Sequence, residues 1–275
     1  MKEKFRYKKE MGQHFIFDPI LIEQLADASL ASKEDGVLEI GPGRGTLTTA
    51  LAKRARKVIT VELDRTLIHD LHVTMALYQN VEIIEGDILR ADIAALVQSL
   101  GTPCRLAANL PYNITTPLIE KILHLQLPFE SLAIMVQKEV GARMMASAGA
   151  EGYGPFSILI FYYAQVQEAI FIPAECFTPP PKVDSSFMLL TMRKEPPVSV
   201  LDEALFFRVV NASFAMRRKT LLNNLLAAFP FSREEITDIT NPCEIMPEKV
   251  RAEQLTPEQF ALLTNAIYQK LHKIR

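Results

Sequence analysis

Between residues 36 and 193, short β-branched runs alternate with amphipathic helical windows, and this alternation constrains the fold more than any other feature of the chain. Strand signals fall at 37–40, 57–62, 81–84, 105–108, 132–136, 167–172 and 187–192. Helical spacing separates the first five: Leu47 and Leu51, then Ile68, Leu71 and Met75, then Leu118, Ile122 and Leu125 after a start at Pro117 capped by Thr115 and Thr116. Strand–helix alternation predicts an α/β fold with a parallel sheet covered on both faces. Only a turn-rich stretch, 173–181, separates the last two strands, so they are expected as an antiparallel pair at the sheet edge, making seven strands in all.

Pro196 and Pro197 mark a break after which the strand signal disappears. Leu205, Phe206, Val209 and Val210 follow Asp202 at helical spacing, and Leu221, Leu222, Leu225 and Leu226 give a second helix. Thr256, Pro257 and Gln259 form a capping box opening a helix with Phe260, Leu263, Ile267 and Leu271 on one stripe. The expected division is an α/β domain over 1–194, with a basic arm at 1–15, and a small all-helical domain over 195–275.

Hydrophobic types make up 49% of the 275 residues, enough for a sizeable core, and a charged fraction of 23% excludes a disordered chain. The net charge of −2 carries no polycation signature, so any nucleic-acid contact has to come from local clusters. Cys104, Cys176 and Cys243 are far apart and form no CxxC pair, which excludes a disulfide framework and a legible zinc site. Residues 1–9 lack the apolar run of a secretory signal, and the apolar stretch 157–172 is broken by Gln165, Gln167 and Glu168. A cytoplasmic protein is expected.

The segment EIGPGRG at 39–45 links the first strand to a helix. Glycines at 41, 43 and 45 allow a sharp bend and close approach of a ligand to helix N–H groups. A dinucleotide site would want glycine at 46, where the chain has Thr46; the EIGPGRG form suits a ligand without a pyrophosphate, S-adenosylmethionine. Glu62, ending the second strand, is placed to accept both hydrogen bonds of a ribose diol, and Asp87, after the third, to hold an adenine amino group.

Asn109, Leu110, Pro111 and Tyr112 follow the fourth strand at the sheet edge where open α/β folds bind ligands. An exocyclic adenine nitrogen has its lone pair delocalised into the ring. Two acceptors aimed at its hydrogens, the Asn109 side-chain carbonyl and a main-chain carbonyl near Leu110, would favour a pyramidal nitrogen as it attacks a methyl donor. Pro111 stiffens the turn, and Tyr112 offers a face on which a base can stack.

With these residues in place, the chain resembles the ribosomal RNA adenine N6-dimethyltransferases, most closely their bacterial small-subunit branch, the kasugamycin-sensitivity type. The resemblance spans nearly the whole chain and rests on GQHFI at 12–16, EIGPGRG at 39–45, NLPY at 109–112, FTPPPKVDS at 177–185 and SFAMRRKT at 213–220. It implies a Rossmann-like seven-stranded S-adenosylmethionine-dependent methyltransferase sheet plus a helical RNA-recognition domain. It also implies that His14 and Ile16 lie in a segment closing over the cofactor, and that Gly41, Gly43, Glu62, Asp87 and Asn109 hold it. Phe177 then sandwiches a flipped adenine against Tyr112. Position 14 is usually asparagine in this family, so His14 is a departure. The implied substrate is the helix-45 loop near the 3′ end of 16S rRNA in the small ribosomal subunit, where two adjacent adenosines each receive two methyls. A monomer is expected.

Lys2, Lys4, Arg6, Lys8 and Lys9 form one basic cluster; Arg217, Arg218 and Lys219 form another at the start of the second C-terminal helix, and Lys182 sits in the Phe177 motif. Singly these read as solvated charges; as a set in both predicted domains they favour RNA phosphates. His69, His72, His124 and His272 read as surface residues, Cys176 as a small buried thiol, and Met135, Met144 and Met145 as core filling. Asp184 and Ser185 read as local caps of the turn before the last strand. Three alternatives stay open: a large-subunit methyltransferase of the macrolide-resistance type, a non-catalytic ribosome-assembly factor, and an NAD-dependent oxidoreductase. Thr46 disfavours the last.

Overall fold

A computed structural model describes residues 13–273. The basic cluster from Lys2 to Lys9 and Gly12 lie outside the described residues. In chain order the elements are β1 (Phe15–Ile16), α1 (Pro19–Ala28), β2 (Gly36–Ile40), α2 (Thr46–Arg54), β3 (Lys57–Glu62), α3 (Arg65–Met75) and β4 (Val81–Glu85). There follow α4 (Ile93–Leu100), β5 (Cys104–Asn109), α5 (Tyr112–Leu125), β6 (Phe129–Gln137), α6 (Lys138–Met145), α7 (Pro155–Tyr163) and β7 (Ala164–Ile172). The chain closes with β8 (Phe177–Thr178), β9 (Ser185–Met192), α8 (Glu203–Phe214), α9 (Leu221–Ala228), α10 (Arg233–Thr240) and α11 (Pro257–Lys273).

The seven-stranded sheet has the order β4-β3-β2-β5-β6-β9-β7. Neighbouring strands from β4 to β6 pair in parallel, and β9 runs antiparallel to β6. Each strand expected from the sequence is present. Every residue of β2, and all but the first of β3, is buried; since side chains alternate between faces, helices must cover both sides. Successive strands move outward from β2 through β3 to β4, and the chain then returns to place β5 on the other side of β2. That reversal leaves a crevice at the carboxyl ends of β2 and β5, where Ile40 pairs with Ala108 and Asn109 projects one residue beyond.

Two local readings are corrected, the start of α5 and the burial of Met145. Helix α5 starts at Tyr112, with Pro111 at its N-cap, and Pro117 lies inside it rather than at its start. Proline loses its own N–H bond to the carbonyl four residues back and its ring crowds that carbonyl, and the buried Leu118, Ile119 and Ile122 keep the helix in place around the defect. The apolar stretch at 157–172 is a buried helix running straight into a strand; among the described residues no helix is long and apolar enough to cross a membrane. Met145 is 45% exposed, unlike the buried Met135 and Met144.

The chain forms two compact units: residues up to Gly141 with Gln165–Met192, and Ala142–Ala164 with residues from Arg193 onward. The helical unit thus takes in α7 as well as the C-terminal helices. Phe206 and Phe260 are fully buried in it, and Glu203 accepts hydrogen bonds from the hydroxyls of Tyr162 (3.2 Å) and Tyr163 (2.6 Å). The Thr256 capping box forms as its sequence dictates, with Gln259 N donating to Thr256 Oγ1 and Thr256 N to Gln259 Oε1.

Candidate active site

A cleft of about 230 Å³ opens at the carboxyl edge of the sheet. His14, Ile16, Gly41, Gly43, Glu62, Asn109, Leu110, Pro111 and Tyr112 line it, so most of the sequence-derived site converges there. Asp87 and Phe177 are outside its lining. Asp87 accepts from Leu89 N at 2.9 Å and faces Arg90 at 3.6 Å, holding the turn after β4. Phe177 is 2% exposed, packed in the apolar core with its ring in a T-shaped contact with His14.

The glycine turn forms the floor. Gly41, Gly43 and Gly45 all have positive φ, and a Cβ at Gly43 would come within 2.6 Å of the Phe15 ring. Glu62 is held by backbone donors: its Oε2 accepts from Gly43 N at 3.0 Å and its Oε1 from Asp64 N at 2.7 Å. Burial raises its pKa despite these donors, and each oxygen keeps a further acceptor site. Glu39 is deeper, 1% exposed, and its Oε2 has no hydrogen-bond partner. Burial pushes its carboxyl up to about 7, while the Thr48 and Thr60 hydroxyls pull the other way.

The wall opposite is the segment 13–16, and its latches were not legible in the sequence. Gln13 Nε2 donates to Asp64 Oδ2 at 2.7 Å, and Thr46 Oγ1 to the Ile16 carbonyl at 3.3 Å. Strand β1 pairs with β8, Ile16 opposite Phe177 and Phe15 opposite Thr178, which joins two of the quoted motifs in one small sheet. Thr46, standing where a dinucleotide site would want glycine, therefore fastens the segment that covers the turn.

Asn109 ends β5 with its amide Nδ2 donating to the His14 carbonyl at 3.2 Å, which orients its side-chain oxygen as the available acceptor. The His14 ring stacks on Tyr112 (centroids 5.6 Å, 22° between planes), and its Nδ1 lies 2.7 Å from the Pro179 carbonyl. A carbonyl can only accept, so Nδ1 carries the proton when the ring is neutral. Tyr112 shares a 2.6 Å hydrogen bond with Ser185. Asp184 does cap its turn, accepting from Ala174 N, but Ser185 reaches across the fold instead. Lys182 is exposed; Arg217, Arg218 and Lys219 are exposed on the α8–α9 turn, just before the helix rather than in it.

A parallel core with a reversed strand inserted one place in from the edge, a glycine turn, and acid and amide groups at successive strand ends together define a Rossmann-like methyltransferase. Residues 4–269 match the family described as ribosomal RNA adenine dimethylase. The ribosomal RNA small subunit methyltransferase A of Shouchella clausii (strain KSM-K16) is 43% identical over 277 residues, covering 99% of this chain and 93% of that protein. Its namesake from Geobacillus sp. (strain WCH70) is 43% identical over 276 residues, covering 98% and 94%. Among solved structures, a dimethyladenosine transferase from Plasmodium falciparum matches with a TM-score of 0.78 at 26% identity, over 94% of this chain and 98% of that one. The 23S rRNA methyltransferase ErmE matches at 0.70 and 25% identity, over 93% and 100%. The chain belongs to the ribosomal RNA adenine dimethylase family and is an adenine dimethyltransferase of ribosomal RNA.

Proposed function

We propose that the protein transfers methyl groups from S-adenosylmethionine to the N6 amino groups of two adjacent adenosines in the helix-45 loop of 16S rRNA, two to each. It acts as a cytoplasmic monomer on the small ribosomal subunit or its precursor. The observation that carries the reading is the Asn109 amide: its nitrogen is committed to the His14 carbonyl, so its oxygen is left to accept from an amino group in the cleft.

The residues present fit the cofactor. The Gly43 position has no room for a side chain, and Glu62 is fixed by two backbone N–H groups with acceptor capacity to spare for a ribose diol. Ile16 and Leu63 contribute apolar lining, and Gly41 brings the backbone close. When bound, S-adenosylmethionine supplies an electrophilic methyl group on a sulfonium. The chain's part is to present the amine: the Asn109 oxygen and the Leu110 region accept from the N6 hydrogens, which localises the lone pair on nitrogen. Tyr112 stacks the base, and Pro111 fixes the turn between them. After transfer the nitrogen is acidic and releases a proton without a dedicated base. Because Phe177 is buried against His14, its share in the base sandwich requires that pair to separate as the base enters.

The 43% identity to proteins named for the small subunit favours 16S over 23S rRNA, since ErmE is matched at only 25%. The test is transfer of labelled methyl from S-adenosylmethionine to 30S and 50S particles, followed by nucleoside analysis. N6,N6-dimethyladenosine from 30S particles is expected. Methylation confined to N1, or to 50S particles, overturns the assignment.

A further inference from the structure

Tyr112 is the first residue of α5 and is half-buried, so what holds its ring decides how it can meet a base. One face of the ring is met by the His14 imidazole, and the phenol oxygen lies 2.6 Å from Ser185 Oγ, a partner 73 positions away in the chain. Ser185 is fully buried at the first position of β9, opposite Gln137 at the end of β6. The chain around it is held on both sides. The Asp184 carbonyl accepts from Lys138 N at 3.0 Å, and Ser186 Oγ donates to Glu168 on β7 at 3.0 Å. A hydroxyl anchored in this way is a rigid point, whereas an aromatic ring at the first turn of a helix is otherwise free to rotate about its two side-chain torsions. Burial raises the phenol pKa of Tyr112, so the group remains a neutral hydroxyl able to share this bond.

We propose that Ser185 is a positioning residue for methyl transfer: through its hydrogen bond to the Tyr112 hydroxyl it sets the plane of the ring on which the target adenine stacks. This rests on the reading of Tyr112 as the base platform. Ser185 touches neither base nor cofactor; it acts by limiting the angular freedom of a group that does, and misalignment of reacting groups is expensive in rate.

The experiment is a cycle of Ser185→Ala, Tyr112→Phe and the double variant, read by single-turnover methyl transfer to 30S particles. Calorimetry of S-adenosylhomocysteine binding and the fluorescence of 2-aminopurine at the target position of an RNA hairpin accompany it. Each single variant is expected to slow transfer about ten-fold, the size of one lost hydrogen bond carried into the transition state. The double variant should be no slower than either single, cofactor affinity should be unchanged, and the stacking-induced quenching of 2-aminopurine should weaken. Losses that multiply in the double variant, or a Tyr112→Phe enzyme of full rate and full quenching, overturn the proposal. Tyr112→Phe opens no cavity and removes the same bond, so it decides the matter if Ser185→Ala does not fold. Tyr112→Ala separates the two levels: if it leaves rate and quenching untouched, the platform reading itself fails. If it abolishes both while the two milder variants are silent, only the role of Ser185 is lost.

Discussion

At position 109 one amide does two jobs, which truncation removes together but which read out separately, in rate and in stability. Its nitrogen ties the end of β5 to the 13–16 segment, and its oxygen is the acceptor on which the proposed chemistry depends. Asn109→Ala is expected to lower kcat by about 100- to 1,000-fold, the range seen when a transition-state hydrogen-bonding group is removed. Stability should fall by no more than about 1 kcal/mol, since only one hydrogen bond is lost. Full complementation of a deletion strain by this variant would instead support a non-catalytic assembly role. Glu39 makes a prediction of a different kind. An acid whose folded pKa is near 7, against an ordinary value of 4.5, binds its proton more tightly in the folded protein. Its stabilising contribution is therefore complete below about 4.5 and is lost as pH rises through about 7. Glu39→Gln, neutral throughout, should gain in Tm relative to the parent between about pH 5 and pH 8. Parallel Tm profiles for the two proteins would show that the carboxyl titrates elsewhere.

Elements divide cleanly into those the sequence announces and those it hides. The seven long strands are legible because each is a short, largely apolar or β-branched run closed by turn residues, and the α11 box is legible because capping chemistry is local. Strands β1 and β8 are two residues each, too short for any period, and exist because Ile16 and Phe177 share a buried cluster. The sequence points to the wrong start for α5 because Thr115, Thr116 and Pro117 mimic a helix entry, whereas Pro111 supplies it. Likewise, His14 and Ile16 could be placed at the cleft only by resemblance, while the latches Gln13–Asp64 and Thr46–Ile16 join distant positions whose identities are unremarkable. The turn between β2 and α2 is the element whose geometry is hardest to replace. At Gly43 a methyl group meets both a φ of +58° and the Phe15 ring at 2.6 Å. Gly43→Ala should destabilise the protein by about 1–3 kcal/mol and weaken S-adenosylhomocysteine binding in calorimetry. Gly86→Ala is the control: nothing lies within 4 Å of its added methyl, and stability should change by less than about 0.5 kcal/mol.

On the scale of the whole molecule, the proline pair at 196–197 marks a real end of strand signal, but the chain divides in space elsewhere. Residues 142–164 cluster with the C-terminal helices because α7 packs against α8 through Tyr162, Tyr163, Phe206 and Phe207. Linear composition cannot reveal such a pairing of distant segments. A chain with net charge −2 has no overall attraction for a polyanion, so its hold on RNA has to be concentrated in local clusters, for which we propose Arg217, Arg218 and Lys219. All three are exposed on a turn, where their charges are cheaply available to phosphates. Each phosphate contact releases condensed counterions, so the logarithm of RNA affinity should fall steeply with the logarithm of salt concentration. Replacing all three by alanine removes up to three such contacts. The salt slope should then flatten by roughly two to three units, with KM for 30S particles raised and kcat at saturating RNA retained. Cofactor affinity should be unaltered, since these side chains are not among those lining the cleft. An unchanged salt slope, measured by filter binding across a range of potassium chloride, would remove the α8–α9 turn from the RNA contact and leave the recognition charge to be sought elsewhere on the chain.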